Sequence, residues 1–153
     1  CTRKQAMPES AVPGGYILCF DFGLRRIGVA VGQTATWNAS SLETVRQQQT
    51  PDGQPMDRLV AEWKPSTLLV GLPLGPEGED TEMSRAAREF GRQLKKRYSL
   101  DTRFFDERLS SREAGQRFAE LRASGGLKRK DVSRLDAVAA QVILENWLES
   151  LRD

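Results

Sequence analysis

The sequence predicts an α/β fold: a mixed five-stranded sheet, an antiparallel three-strand meander followed by parallel strands, flanked by helices. Three observations carry this expectation. Near the start, the apolar runs YILCFDF and RIGVAVGQ are separated by a short turn containing glycine, which reads as a pair of strands. Downstream, two more strand-like runs, TLLVGLP and TRFFDE, alternate with segments whose apolar residues recur at helical spacing. That alternation is the pattern of parallel strands joined by right-handed helical crossovers.

Taken in order, strands are expected at Tyr16 to Phe22 and Arg26 to Gln33, joined around Gly23, with a weaker third strand near Ser40 to Val45. A loop at TPDGQ precedes a helix striped by Met56, Leu59, Val60 and Trp63, which Pro65 stops. The buried strand TLLVGLP then runs into a loop marked by Pro73, Gly75, Pro76 and Gly78. Met83, Ala87, Phe90 and Leu94 stripe the next helix, with Glu79, Asp80 and Glu82 at its start and Lys95, Lys96 and Arg97 at its end. Those charges complement the helix dipole. After TRFFDE, the SSRE segment offers a capping box for a helix carrying Ala114, Phe118 and Leu121 and ended by Gly125 and Gly126. The last helix is expected over roughly Asp131 to Leu151.

Residues 1–14 are polar, contain two prolines and lack the apolar centre of a signal peptide, so they read as a flexible tail. Residues 15–153 form a single expected domain, long enough to bury a core. Without an initiator Met, the sequence is compatible with a start inside a longer gene. At 39% hydrophobic and 29% charged, with no apolar stretch near the ~20 residues of a membrane span, the chain is expected to be soluble, with no membrane partner. Neither cysteine has metal-ligand spacing, and two free thiols suit a reducing cytoplasm. The sequence contains no histidine, which excludes Ser-His-Asp and Cys-His catalysis and histidine-ligated zinc. Any hydrolytic chemistry falls to carboxylates.

Three acids occupy apolar settings. Asp21 ends the run YILCF, Glu107 closes TRFFDE, and Asp136 interrupts the apolar helix that begins LDAVAAQVIL. Asp21 and Glu107 lie at the C-terminal ends of strands, where open α/β sheets bind ligands. Asp136 shares a stripe with Ala140, Ile143 and Trp147, so it faces inward if that helix packs on the sheet. Clustered carboxylates repel unless a cation neutralises them, and a divalent metal is the obvious one. Each acid also has an ordinary explanation: Asp21 as a turn residue, Asp106 and Glu107 as part of a solvated charge run, Asp136 as part of a capping box begun by Ser133.

The segments FDFGLRRIGVAVG, LLVGLPLGPEG, FFDERLSSREA and LDAVAAQVILENWL, in this order and spacing, resemble the YqgF family, also called RuvX, from about Gly15 to Ser150. The resemblance implies an RNase H-like fold related to the RuvC junction resolvases. It also implies a cytoplasmic, metal-dependent nuclease that matures the 5′ end of pre-16S ribosomal RNA, which an immature small ribosomal subunit could present. The family's acids fall on Asp21, Glu107 and Asp136, as catalytic residues and as ligands of one or two Mg²⁺ or Mn²⁺ ions. The DER motif selects Glu107 over Asp106, a choice that strand alternation alone leaves open. RuvC-type enzymes often carry a further acid three residues before the last, a position filled here by Ser133.

Basic residues collect beside each acid: Arg25 and Arg26 in the first hairpin, Arg108 and Arg112 next to Glu107, and Lys128, Arg129, Lys130 and Arg134 before Asp136. A basic rim around an acidic centre suits a polyanion substrate. The acids Glu77 and Glu79 argue against phosphate cradling by the glycine-rich loop. Two other functions fit the same residues: a Holliday junction resolvase acting on branched DNA, normally a two-fold dimer, and a noncatalytic RNA-binding assembly factor. The chain is expected to be a monomer or a homodimer.

Overall fold

A computed structural model describes residues 14–46, 54–107 and 129–152. The elements are β1 (Tyr16–Phe22), β2 (Arg26–Gln33), β3 (Asn38–Arg46), α1 (Gln54–Trp63), β4 (Thr67–Leu72), α2 (Glu82–Tyr98), β5 (Asp101–Asp106) and α3 (Arg129–Arg152). The expected tail over residues 1–13 and the expected helix after Glu107 lie outside the described residues.

The five strands form one sheet in the order β3-β2-β1-β4-β5. β1 to β3 make the antiparallel meander, while β1, β4 and β5 run parallel. This topology puts the C-terminal ends of β1, β4, β5 and β3 at one edge, together with the N-terminal end of β2.

Alternation along the strands divides the core into two faces. Leu18, Phe20, Ile27, Val29, Leu68 and Val70 pack with Met56 and Leu59 of α1 and Ala87 and Leu94 of α2. Ile17, Cys19, Ala30, Leu69 and Phe105 pack with Ala140, Ile143, Leu144, Trp147 and Leu148 of α3. β1, β2 and β4 are buried on both faces, which explains why they read as continuous apolar runs.

Helix ends follow from local chemistry. α2 begins later than its acids suggested, because Thr81 is the N-cap: the Ser84 amide donates to Thr81 Oγ1 at 3.0 Å and the Thr81 amide to Ser84 Oγ at 2.7 Å. Asp80 instead accepts from Ser84 Oγ and from Arg88. The last turn of α2 carries Lys95, Lys96 and Arg97 and ends at Ser99 in the left-handed region, with φ 56°. On the same side of the sheet, Asp57 of α1 ties the two helices together. It accepts from Arg97 Nε and Nη2 at 2.8 and 2.7 Å and from the Tyr98 hydroxyl at 2.6 Å.

The seating of α3 depends on Gly28. A side chain there would overlap the main-chain carbonyl of Asp136 and come within 3.0 Å of the Ala137 nitrogen. Backbone cannot swing aside as the end of a side chain can. Gly28→Ala is therefore expected to cost about 3 kcal/mol or more, at the upper end of overpacking penalties, measured by urea unfolding. The Asp57 cluster predicts a pH effect. Hydrogen bonds from Arg97, then from Tyr98, lower the Asp57 pKa from 3.8 to about 2. Its contribution is present above the unfolded-state pKa and is lost as pH falls through the folded one. The melting temperature of Asp57→Asn should thus lie below that of the starting protein at pH 5 and converge with it by about pH 2. The gap should stay small, because the pair is exposed and screened by salt.

Candidate active site

One row of residues crosses the sheet on the α3 face at the C-terminal edge. Asp21 pairs with Gly28 on β2. Continuing the β1–β4 register one step past Phe20 and Val70 aligns it with Gly71, which in turn pairs with Phe105 on β5. Asp21, half-buried, therefore sits between two glycines, with no Cβ beside it on either strand. On one side the α3 backbone fills the space over Gly28. On the other, the Glu107 carboxylate and Ile143 lie over Gly71: a Cβ there would come within 3.0 Å of Glu107 Oε2 and 2.9 Å of Ile143 Cδ1.

β5 ends at Asp106, and Glu107 is the first residue beyond it. Phe105 packs on the α3 face and Phe104 on the other, so alternation sends Glu107 toward α3 and Asp106 away from it. Of the two neighbouring acids, Glu107 is therefore the one on the face that carries Asp21. Asp21 and Glu107 act on one group between them, the fully buried thiol of Cys19. Burial first, then the charges of Asp21 and Glu107, push its pKa well up.

Asp136 lies on α3, half-buried at the same edge, and accepts from Arg26 Nε at 2.6 Å. The three acids thus share one face and one edge. They are not drawn into a single cluster, however: among the described residues, no group of three or more Asp, Glu, Cys or His side chains is placed to hold a metal ion. In donor chemistry the three suit a hard divalent cation, which takes oxygen ligands only. Two of them act through their charge on Cys19, and the third is engaged by a guanidinium.

Among the expected basic residues, Arg25 is exposed at the turn between β1 and β2, and Arg26 opens β2 beside Asp136. Arg108, Arg112 and Lys128 lie outside the described residues. α3 begins at Arg129, two residues before the expected Asp131. Arg129 and Lys130 are therefore in its first turn rather than in a loop before it, and Arg134 follows in the helix. Sequence reasoning missed Arg46, which pairs directly with Arg26 across the β2–β3 ladder. Its signal is positional: it becomes visible only once hairpin register is fixed. In the β4–α2 loop, Glu79 Oε1 accepts from the Glu77 amide at 2.9 Å.

A family model described as "RuvX: Holliday junction resolvase" matches residues 15–150. The chain belongs to the RuvX family. A Xanthomonas euvesicatoria relative named "Putative pre-16S rRNA nuclease" is 45% identical over 145 residues, covering 93% of this chain and 94% of its own length. A Xanthomonas campestris relative of the same name is 43% identical over 147 residues, covering 94% and 95%. Among solved structures, Thermus thermophilus RuvC in complex with Holliday junction substrate matches with a TM-score of 0.54 at 14% identity, covering 89% of this chain and 96% of that one. The fold is RNase H-like, as in RuvC. No described helix is long and apolar enough to cross a membrane.

The two glycines of the Asp21 row should respond differently to substitution. Gly71 faces the ends of side chains, which can move, so Gly71→Ala should cost about 1 kcal/mol, well below the cost of Gly28→Ala. Urea unfolding of both variants tests this, and equal losses would contradict it.

Proposed function

We propose that this RuvX protein is a divalent-metal-dependent endonuclease that processes the 5′ end of pre-16S ribosomal RNA in the cytoplasm during ribosome biogenesis. The observation that carries the reading is the row at the sheet edge. Asp21 lies between two glycines, Glu107 over one of them, and Asp136 on the helix that covers the other. In a chain without histidine, carboxylates at the C-terminal edge of a parallel sheet are the groups available for hydrolysis. The substrate assignment rests on the name carried by the Xanthomonas relatives.

Asp21 and Glu107 would hold one or two Mg²⁺ or Mn²⁺ ions, joined by Asp136 once it leaves Arg26. When bound, the cation supplies the Lewis acidity and charge neutralisation that phosphodiester hydrolysis needs. The chain's own residues set the stage. The glycines put no Cβ beside Asp21, the β5 pleat aims Glu107 toward α3, and the carbonyl of Asp136 resting on Gly28 fixes where its side chain starts. Arg25 at the hairpin tip, with Arg129, Lys130 and Arg134 in α3 and Arg108, Arg112 and Lys128 before it, would hold the polyanion through its phosphates.

The family description favours a second reading, resolution of branched DNA. Offering purified protein pre-16S RNA, free and within immature small subunits, and a four-way DNA junction, each with Mg²⁺ or Mn²⁺, separates the two. Cleavage of the RNA is expected; cleavage of the junction alone would reverse the order, and cleavage of neither would favour a noncatalytic assembly factor. Asp21→Asn, Glu107→Gln and Asp136→Asn should each remove most cleavage while preserving the fold. Divalent ions should raise the melting temperature of the starting protein more than that of any of the three, because a ligand stabilises only a folded site. Equal shifts in all four proteins would count against the metal assignment.

A further inference from the structure

We propose that Arg26 and Arg46 form a phosphate-binding clamp for the polynucleotide backbone, and that the Arg26–Asp136 ion pair is its closed resting form, released when a divalent cation takes Asp136. The coupling to metal rests on the metal-dependent reading above; the clamp itself does not.

Four observations lead here. Arg26 and Arg46 are direct partners in the β2–β3 register, so the pleat puts both on the α3 face. Like charges directly opposite one another destabilise a ladder. This pair stands at the edge where β1, β4 and β5 end, and Arg26 is two residues along the same face from Gly28, the partner of Asp21. Arg46 is exposed and has no carboxylate partner among the described residues. Finally, Arg26 gives its Nε to Asp136 at 2.6 Å, with side chains 38% and 28% exposed, a charge-assisted contact that solvent and ions can reach.

Two arginines on directly opposed register positions repel one another, and Asp136 offsets the charge of only one of them. An anion bridging both would relieve that repulsion. Phosphodiester oxygens match the planar fork of arginine in a way that a point-charge lysine does not reproduce. While Arg26 is bound to Asp136, the clamp has one free arm. A divalent cation at Asp136 removes the reason for Arg26 to stay, so cation and phosphate each favour binding of the other, and by linkage the effect is reciprocal.

The test uses the full chain, a short fluorescently labelled single-stranded RNA and binding measured by anisotropy, in EDTA and in Ca²⁺, with Ca²⁺ affinity read separately by calorimetry without RNA. In EDTA, Asp136→Asn should bind RNA several-fold more tightly than the starting protein. The matched control Glu89→Gln, which adds the same charge and releases Arg92 on the far face, should gain less. Adding Arg26→Gln to Asp136→Asn should abolish the gain. Without RNA, Arg26→Gln alone should bind Ca²⁺ more tightly, because Asp136 has lost its competitor. Arg46→Ala, at an exposed position, should weaken RNA binding in Ca²⁺ and lower the log-log salt slope by about 0.7.

Equal gains for Asp136→Asn and Glu89→Gln, or an unchanged salt slope in Arg46→Ala, would overturn the clamp. Unchanged Ca²⁺ affinity in Arg26→Gln would overturn its release by metal. Loss of the nuclease reading looks different: no cleavage of any substrate, with this binding pattern intact, leaves the clamp standing. Cleavage with the pattern absent does the reverse.

Discussion

The contact on which the site depends is between backbone and backbone. α3 crosses the sheet so closely at Gly28 that its Asp136 carbonyl occupies the space a side chain would need. A helix held by side-chain packing can slide by fractions of a turn as neighbours repack, but one resting on main chain has a fixed point. That point is one strand away from Asp21, because Gly28 and Asp21 are register partners. The consequence reaches along α3: Ala140, Ile143, Leu144, Trp147 and Leu148 then fall into the hydrophobic face beneath it. The position of Asp136 at the edge and the core under the helix are thus set by one residue whose contribution is to have no side chain.

Charge at this edge is arranged around that geometry. Asp21 and Glu107 share this edge with a fully buried thiol, Cys19, whose pKa is raised first by its burial and then by the two carboxylates. A neutral thiol is the group this location tolerates, since an ionised side chain there would add to the repulsion. Asp136 brings a further negative charge to the same face. Arg26 meets it from the antiparallel neighbour, because β2 starts where β1 ends. The antiparallel pairing of the first hairpin, which sequence patterning predicts from two apolar runs and a glycine turn, is therefore also what supplies a cation to an acidic edge.

Legibility in the sequence tracks how local each signal is. β1 and β2 match their expected limits because continuous apolar runs with a turn between them need no tertiary information. β3 is longer than expected, Asn38–Arg46, because the residues that extend it, Asn38, Ala39 and Arg46, are not buried; backbone pairing with β2 holds them instead. α2 starts at Glu82 because Thr81 and Ser84 satisfy each other's amides, a reciprocal cap that the acids before it obscure. Asp106 and Glu107 are neighbours of the same chemical kind, and only the pleat, seen through Phe104 and Phe105, separates them. The resemblance to RuvX named Asp21, Glu107 and Asp136; the structure adds which groups they touch. Arg46 was not legible at all, because its importance comes from standing opposite Arg26, and a bulge between Val29 and Ala30 shifts the register that a simple count across the turn would give.

The same edge shows why an anion would be met on the β2–β3 side. The loop after β4 is rich in glycine as phosphate cradles are, although its acids argue against that role, and Gly78, at φ 83°, takes the left-handed conformation such loops use. Three of its amides are already committed. Gly75 donates to the Glu79 carbonyl, Gly78 to the Gly75 carbonyl, and Glu77 to the Glu79 carboxylate, each at 2.9 Å. At the start of α2, Thr81 and Ser84 take up each other's amides, and Thr81 Oγ1 donates to the Pro73 carbonyl. A phosphate approaching this loop would have to displace a carboxylate that belongs to it, against the further charges of Glu77 and Asp80. The opposite end of the edge carries Arg25, Arg26 and Arg46, and there the main cost of binding an anion is the release of Asp136. A polyanion laid across the edge would therefore lean toward β2 and β3, with Asp21 and Glu107 beside its path.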